Sequence, residues 1–313
     1  MRVLMAMAAL TGLLQTPAAQ PAAPPAPLPG TDIYLVPLTA GLASMKMATP
    51  TPVSIAPGYD NQPNFTPDGS KILFAVNRDG RQTDVYVFDR ATRRATQLTH
   101  TAENENSPTN VPPGAGPAGS FTVVQSEFDK AGAKPASPIQ RLWRFNADGT
   151  APSLIFADIN PVGYHAWIDA DRLVLYVLGQ PATLQIASVK TGKAEVAAGN
   201  VGRSLHRIPG TTLASFVQKE ASGEYWVKQI DIATKEIEPL VKAVDGSSDR
   251  DMAWMPDGRT IVMSSGTKVW SWTKGAAAWS EVFDGAASQL GAISRLSVSP
   301  KGDAIAIVVA EKK

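Results

Sequence analysis

Chemistry in this chain has few candidate residues to start from. It has three histidines, His100, His165 and His206, and no cysteine. Thiolate metal sites, disulfides and cysteine nucleophiles are therefore excluded. Histidine with carboxylate ligands suits zinc, manganese or iron, so His165 and His206 with Glu105, Glu127 or Asp251 are the one conceivable metal set. No local His-x-x-His spacing supports it, and hydrogen-bonded rim residues are the plainer reading of both histidines. His100 reads as a surface residue. Serines are abundant, but none has an ordered His and Asp partner visible in the sequence. No Gly-x-x-x-x-Gly-Lys phosphate loop is present. Three arginines, Arg203, Arg250 and Arg295, are the remaining reactive feature, since guanidinium binds carboxylates in a bidentate fork. All these residues are far apart in sequence, so a fold must gather them.

A recurring phrase supplies that fold. Thr66-Pro67-Asp68-Gly69, Met255-Pro256-Asp257-Gly258 and Ser299-Pro300-Lys301-Gly302 each follow a strand-like segment and precede an apolar, β-branched run. Pro presets φ, Asp caps the turn and Gly supplies positive φ, so each copy is a hairpin. The bland role of Asp68, Asp79, Asp84 and Asp257 is as turn residues. Degenerate copies fall at Pro112, Asp169 and Pro209. The six anchors stand roughly 40–57 residues apart, each with signals for four strands, which is the period of propeller blades. In the first blade the strands after the anchor are Ile72–Val76, Asp84–Phe88 and Ala95–Leu98. In the second, a long Lys130–Pro138 loop intervenes.

The last anchor, Pro300, leaves only Ala304–Ala310, two strands of four. The missing two are at the other end. Thr31-Asp32-Ile33-Tyr34-Leu35-Val36 matches Thr83-Asp84-Val85-Tyr86-Val87-Phe88, and Pro52–Ile55 fits the outermost slot. The expected fold is all-β: a six-bladed β-propeller over residues 31–313, its last blade closed by the N-terminal strands. Such closure removes exposed sheet edges. An open solenoid or sandwich is the alternative.

The first blade, from Asn61-Gln62-Pro63-Asn64-Phe65-Thr66-Pro67-Asp68-Gly69 to Gln97-Leu98-Thr99, resembles the Pro-Asp-Gly propeller repeat of TolB-like proteins. The resemblance is strong in blades one, five and six and weak in two to four. It implies a six-bladed propeller of the bacterial periplasm or cell exterior. TolB carries an α/β domain before its propeller and prolyl-oligopeptidase-like enzymes a hydrolase domain after it. Neither is visible here, so a propeller standing alone is expected.

Counting six and five residues back from each anchor gives Asn61/Gln62, Asn106/Ser107, Gly163/Tyr164, Arg203/Ser204, Arg250/Asp251 and Ser294/Arg295. These should ring the central channel, with His165 and His206 just beyond. Gln62, Tyr164, His165, Arg203, His206, Arg250, Asp251 and Arg295 are therefore the candidate ligand-binding residues, and Asp251–Arg295 a candidate ion pair. Trp167, Trp254, Phe65 and Trp143 fall at packing positions. Trp270, Trp272 and Trp279 cluster on blade five with room for partial exposure.

The formal net charge is +1, with 44% hydrophobic and 18% charged residues, which gives no basic face for nucleic acid. The start of the chain, Met1-Arg2 and then an apolar run from Val3 to Leu14, reads as a signal peptide over residues 1–19, too short to span a membrane. A Pro/Ala-rich linker follows over residues 20–30. The expectation is an exported, non-enzymatic binding protein without a cofactor, holding a protein segment or an anionic small molecule at the channel mouth. The alternative is a metal-assisted propeller lyase or hydrolase acting on a sugar or lactone.

Overall fold

The structure, a computed structural model, describes residues 28–78, 80, 82–127, 139–247 and 251–312. The expected signal peptide, linker residues 20–27, Asp79, the Lys130–Pro138 loop and Arg250 lie outside the described residues.

Apart from two short 3-10 turns, Leu42–Met47 and Gly285–Ser288, the regular structure is strand. Thr31–Pro37 (β1) and Thr51–Ser54 (β2) come first. Tyr59–Phe65 (β3), Lys71–Asn77 (β4), Asp84–Asp89 (β5) and Arg94–Gln97 (β6) form one four-stranded unit. The next is Asn104–Asn110 (β7), Phe121–Glu127 (β8), Ile139–Phe145 (β9) and Ser153–Leu154 (β10). Val162–Trp167 (β11), Arg172–Val177 (β12), Thr183–Ser188 (β13) and Lys193–Gly199 (β14) make the third. Val201–Arg207 (β15), Leu213–Lys219 (β16), Tyr225–Asp231 (β17) and Ile237–Lys242 (β18) make the fourth. Met252–Trp254 (β19), Thr260–Ser265 (β20), Lys268–Thr273 (β21) and Ser280–Asp284 (β22) make the fifth. Ile293–Val298 (β23) and Ala304–Ala310 (β24) end the chain.

Four sheets hold four strands each, and an eight-stranded sheet joins β23-β24-β1 to β3-β4-β5-β6, with β2 on β1. That sheet is two four-stranded units touching through one parallel pair, Thr31↔Tyr59. β1 runs antiparallel to β24 along its whole length, from Thr31↔Ala310 to Pro37↔Ala304. This repetition of four-stranded antiparallel sheets has the character of a β-propeller.

The pairing makes the second strand of each unit apolar on both faces. Along β24, Ala304, Ala306 and Val308 pack with Ile33 of β1 and with Phe65 and Phe74 of the following unit. Ile305, Ile307 and Val309 pack with Val262, Val269 and Phe283 of the preceding one. A strand buried on both faces reads as a continuous hydrophobic run rather than an alternation, which is what Ile72–Val76 and Ala304–Ala310 look like. Each such Ile, Val or Phe contributes about 1.5–3 kcal/mol by leaving water. The outermost strand β6 behaves oppositely: three of its four residues are exposed.

The hairpin phrases fold as their chemistry dictates. Asp257 Oδ1 accepts from the backbone N–H groups of Arg259 at 2.8 Å and Thr260 at 2.9 Å. Asp68 likewise accepts from Ser70 N–H and from the Thr66 and Ser70 hydroxyls. These fully exposed or edge carboxylates are held below their ordinary pKa by those bonds. Gly69, Gly258 and Gly302 all have φ near +65°, at 68°, 64° and 66°, the left-handed region that glycine occupies at least cost.

Five innermost strands share one irregularity, and β19 alone of the described ones lacks it. Register shifts interrupt β3 between Asn61 and Asn64, β7 between Asn106 and Thr109, β11 between Val162 and Tyr164, β15 between Val201 and Leu205, and β23 between Ile293 and Arg295. A bulge adds a residue, bends the strand and re-aims a side chain. In β3 and β7 it holds Gln62 and Ser107 at φ 59° and 52°. The proline after each has no N–H to lose from a ladder and is tolerated at a bulge.

Candidate functional site

The bulged segments converge. A cavity of about 330 Å³ is lined by Gln62, Tyr164, His165, Arg203, His206, Asp251 and Arg295, together with Ser107, Ser204 and Arg207. Seven of the eight residues expected from the sequence therefore line one space. Arg250, the eighth, lies outside the described residues.

Arg295 organises the floor. Its Nη2 donates to Tyr164 Oη at 2.7 Å, and its guanidinium carbon lies 5.1 Å from the centre of the Tyr164 ring. Both residues sit on innermost strands, β23 and β11, so this bond links strands three units apart in the chain order. Asp251 Oδ1 is 4.0 Å from Arg295 Nη1, and Asp251 Oδ2 accepts from Leu296 N–H at 2.8 Å. The expected Asp251–Arg295 pair is thus present at the outer limit of ion-pair distance. Burial disfavours the Arg295 charge, but Tyr164, Asp251 and Tyr59 together raise its pKa above the ordinary arginine value. Arg203 Nη2 donates to the Ser294 carbonyl at 3.2 Å, tying β15 to β23. Beneath the arginines, burial pushes the Tyr59 hydroxyl up to about 12 despite both cations.

The walls carry the histidines. His165 is only 6% exposed, and its Nε2 pairs with Thr122 Oγ1 of the neighbouring unit at 2.7 Å. Trp167 Nε1 donates to the same hydroxyl at 3.0 Å. Burial drives the His165 pKa down to about 3, so the ring is neutral. His206 is half-buried, its Nε2 3.1 Å from Ser204 Oγ. Burial lowers its pKa, opposed by the charge of Asp251. On the opposite wall Gln62 Oε1 accepts from Ser107 N–H at 2.6 Å.

Two carboxylates proposed to join the histidines do not. Glu127 is bound by Arg141 through two bonds, at 2.8 and 2.6 Å, and by Trp143 Nε1 at 2.9 Å. Glu105 is enclosed by Thr99, Thr101 and Gln125. Neither lines the cavity. Among the described residues no group of three or more His, Cys, Asp or Glu could hold a metal ion. The tryptophans mostly pack between units. Trp254 donates to Ser215 Oγ at 2.8 Å, and Trp272 is buried 6.5 Å from Trp279. His100 is exposed.

Sequence reasoning missed Ser107 as more than a position in the ring, and Arg207 entirely. Ser107-Pro108 repeats the dipeptide pattern of Gln62-Pro63, which was the available signal. Arg207 falls outside the two aligned columns but lies on the same strand, β15.

No family model matches the sequence, and no curated protein does. Solved structures do. The putative TolB from Agrobacterium tumefaciens superposes with a TM-score of 0.68 at 15% identity, covering 91% of this chain and 100% of that one. TolB from Acinetobacter baumannii gives 0.55 at 14% identity, over 90% of this chain and 64% of the other. An oligogalacturonate lyase from Vibrio parahaemolyticus gives 0.52 at 14% identity, over 89% and 97%. At such identities the likeness speaks for the architecture, and it agrees with the sheets described above: the chain has the TolB-like β-propeller fold.

Proposed function

We propose that the chain is an exported, non-enzymatic six-bladed propeller that binds an anionic small molecule or a protein segment at its channel mouth. The blade count rests on the repeated sheets and on apolar clusters that each draw from two consecutive units, including one between β24 and β4. The pairing of β1 with β24 supports completion of the last blade by the N-terminal strands. The signal-like start of the sequence and the TolB likeness support a periplasmic location.

The observation that carries the binding reading is the charge balance of the cavity. Among the described lining residues, Arg203, Arg207 and Arg295 face one carboxylate, Asp251, and burial holds both histidines towards neutrality. A partly desolvated site with surplus guanidinium charge favours an anion and attracts it over distance. The lyase alternative draws on the resemblance to oligogalacturonate lyases alone, and two of the three carboxylates it would recruit, Glu105 and Glu127, are engaged elsewhere.

The test is ligand-detected NMR with a panel of small carboxylates, phosphate and acidic peptides, on the wild type and on the Arg203→Ala/Arg295→Ala double variant. Binding to the wild type should weaken by about tenfold or more in the variant, the scale for losing a buried charge partner. Unchanged affinity in a folded double variant would remove the channel-mouth reading.

A further inference from the structure

Two residues that line this cavity each carry a polar atom without a partner. His165 Nδ1 and Ser107 Oγ are both buried and make no hydrogen bond among the described residues. Their residues are 6% and 9% exposed, and both line the same space as the arginines. A buried polar group left unpaired is costly, and native proteins seldom leave one without a reason. Here the reason is not loose packing. His165 is fixed through Nε2 by Thr122, whose hydroxyl is also held by Trp167 and directed at the Thr109 carbonyl at 3.2 Å. Ser107 is fixed by the bulge and by the bond from its N–H to Gln62. Both atoms are positioned by the fold and then not used by it.

The Thr122 hydroxyl has one proton and two possible acceptors. If it donates to the Thr109 carbonyl, His165 carries its proton on Nε2 and presents Nδ1 as an acceptor. If it donates to His165, Nδ1 presents N–H. With Ser107 lining the same cavity, its walls carry groups that can meet either a donor or an acceptor. The floor, by contrast, is cationic. A space of about 330 Å³ is equivalent to roughly a dozen waters, so its occupant is a small ligand or the end of a longer one.

We propose that the cavity recognises a carboxylate bearing a second hydrogen-bonding group, a hydroxyl or an amide. The carboxylate lies against Arg203 and Arg295, and the second group pairs with His165 Nδ1 and Ser107 Oγ. This rests on the anion-binding reading above and deepens it. The same chemistry is offered by a free hydroxy acid and by the carboxy-terminal residue of a peptide.

The experiment is saturation-transfer NMR at millimolar ligand with lactate, N-acetylglycine, propionate, lactamide and N-acetylglycinamide. Lactate or N-acetylglycine, or both, should bind about fivefold or more tightly than propionate, and the two neutral amides should not bind. Lactate binding alone would assign a hydroxy acid, and N-acetylglycine binding alone a peptide terminus. Ser107→Ala should bring the preferred acid down to the level of propionate and leave propionate unchanged. His165→Phe should do the same, and Ser107→Ala serves alone if the histidine variant fails to fold. Propionate binding as well as both substituted acids would overturn the proposal, as would a preference that survives Ser107→Ala. Binding of phosphate alone, lost in the double arginine variant, would overturn the carboxylate inference while keeping the anion site. Insensitivity of every ligand to the arginine substitutions would overturn both.

Discussion

Glu105 lies wholly buried on β7. Its carboxylate accepts from Thr99 Oγ1 at 3.1 Å, from Gln125 Nε2 at 3.1 Å and from the Thr101 hydroxyl. All three donors are neutral. Burial outweighs these bonds and lifts the pKa from 4.5 to about 7. The sign of the linkage follows. Below about pH 4.5 the group is protonated in both folded and unfolded chains and costs nothing. Between about 4.5 and 7 the unfolded chain releases the proton and the folded protein keeps it, so stability falls as pH rises. Above 7 the loss levels off at about 3 kcal/mol, at 1.36 kcal/mol per unit of pKa displacement. Glu105→Gln keeps the shape and never ionises. Urea unfolding of both proteins, followed by tryptophan fluorescence from pH 4 to pH 8, isolates the effect because other titrating groups cancel. The variant's unfolding free energy minus that of the wild type should rise by about 3 kcal/mol across that range. A difference that stays constant with pH would refute the argument that Glu105 is held as a neutral acid.

Two further substitutions probe the packing. Thr122→Val removes the hydroxyl shared by His165 Nε2 and Trp167 Nε1. It should cost about 2–4 kcal/mol in chemical denaturation, because two buried polar groups lose their partner. Gly258→Ala and Gly275→Ala both place a side chain at positive φ, 64° and 96°. At Gly258 the new Cβ would also lie 2.4 Å from the Pro209 carbonyl oxygen, whereas nothing lies within 4 Å at Gly275. The melting temperature of the first should fall by several degrees more than that of the second.

What could be read from the sequence was whatever repeats. The Pro-Asp-Gly turn marks its own neighbours, since the strand after it is apolar on both faces and the strand before it reaches the cavity. Counting back from Pro67, Asp169, Pro209 and Pro300 therefore found Gln62, Tyr164, Arg203 and Arg295 without any contact being known. What does not repeat stayed hidden. The environment of Glu105 is assembled from a turn and two strands, and nothing in Asn104–Asn110 alone distinguishes a buried acid from a surface one. His165 gave no sign of burial either, because Thr122, which takes its Nε2, lies 43 residues away on a strand with a different repeat position. The bond between Arg295 and Tyr164 spans 131 residues and depends on bulges that shift both side chains off the regular pleat.

The pairing of β1 with β24 makes the first described strand wait for the last. Thr31 meets Ala310, so almost the whole described chain forms one loop between them. The other hairpins are local and can form as soon as their two strands exist, while this contact bears the largest loop-closure entropy in the molecule. Until it forms, β24 exposes the face carrying Ala304, Ala306 and Val308, and β4 lacks one side of its packing. Arg295, on the strand beside β24, is brought to Tyr164 only once that face is covered. On this ordering the cavity completes with the final folding step, and a chain cut short at either end would retain its hairpins but lack the finished cavity.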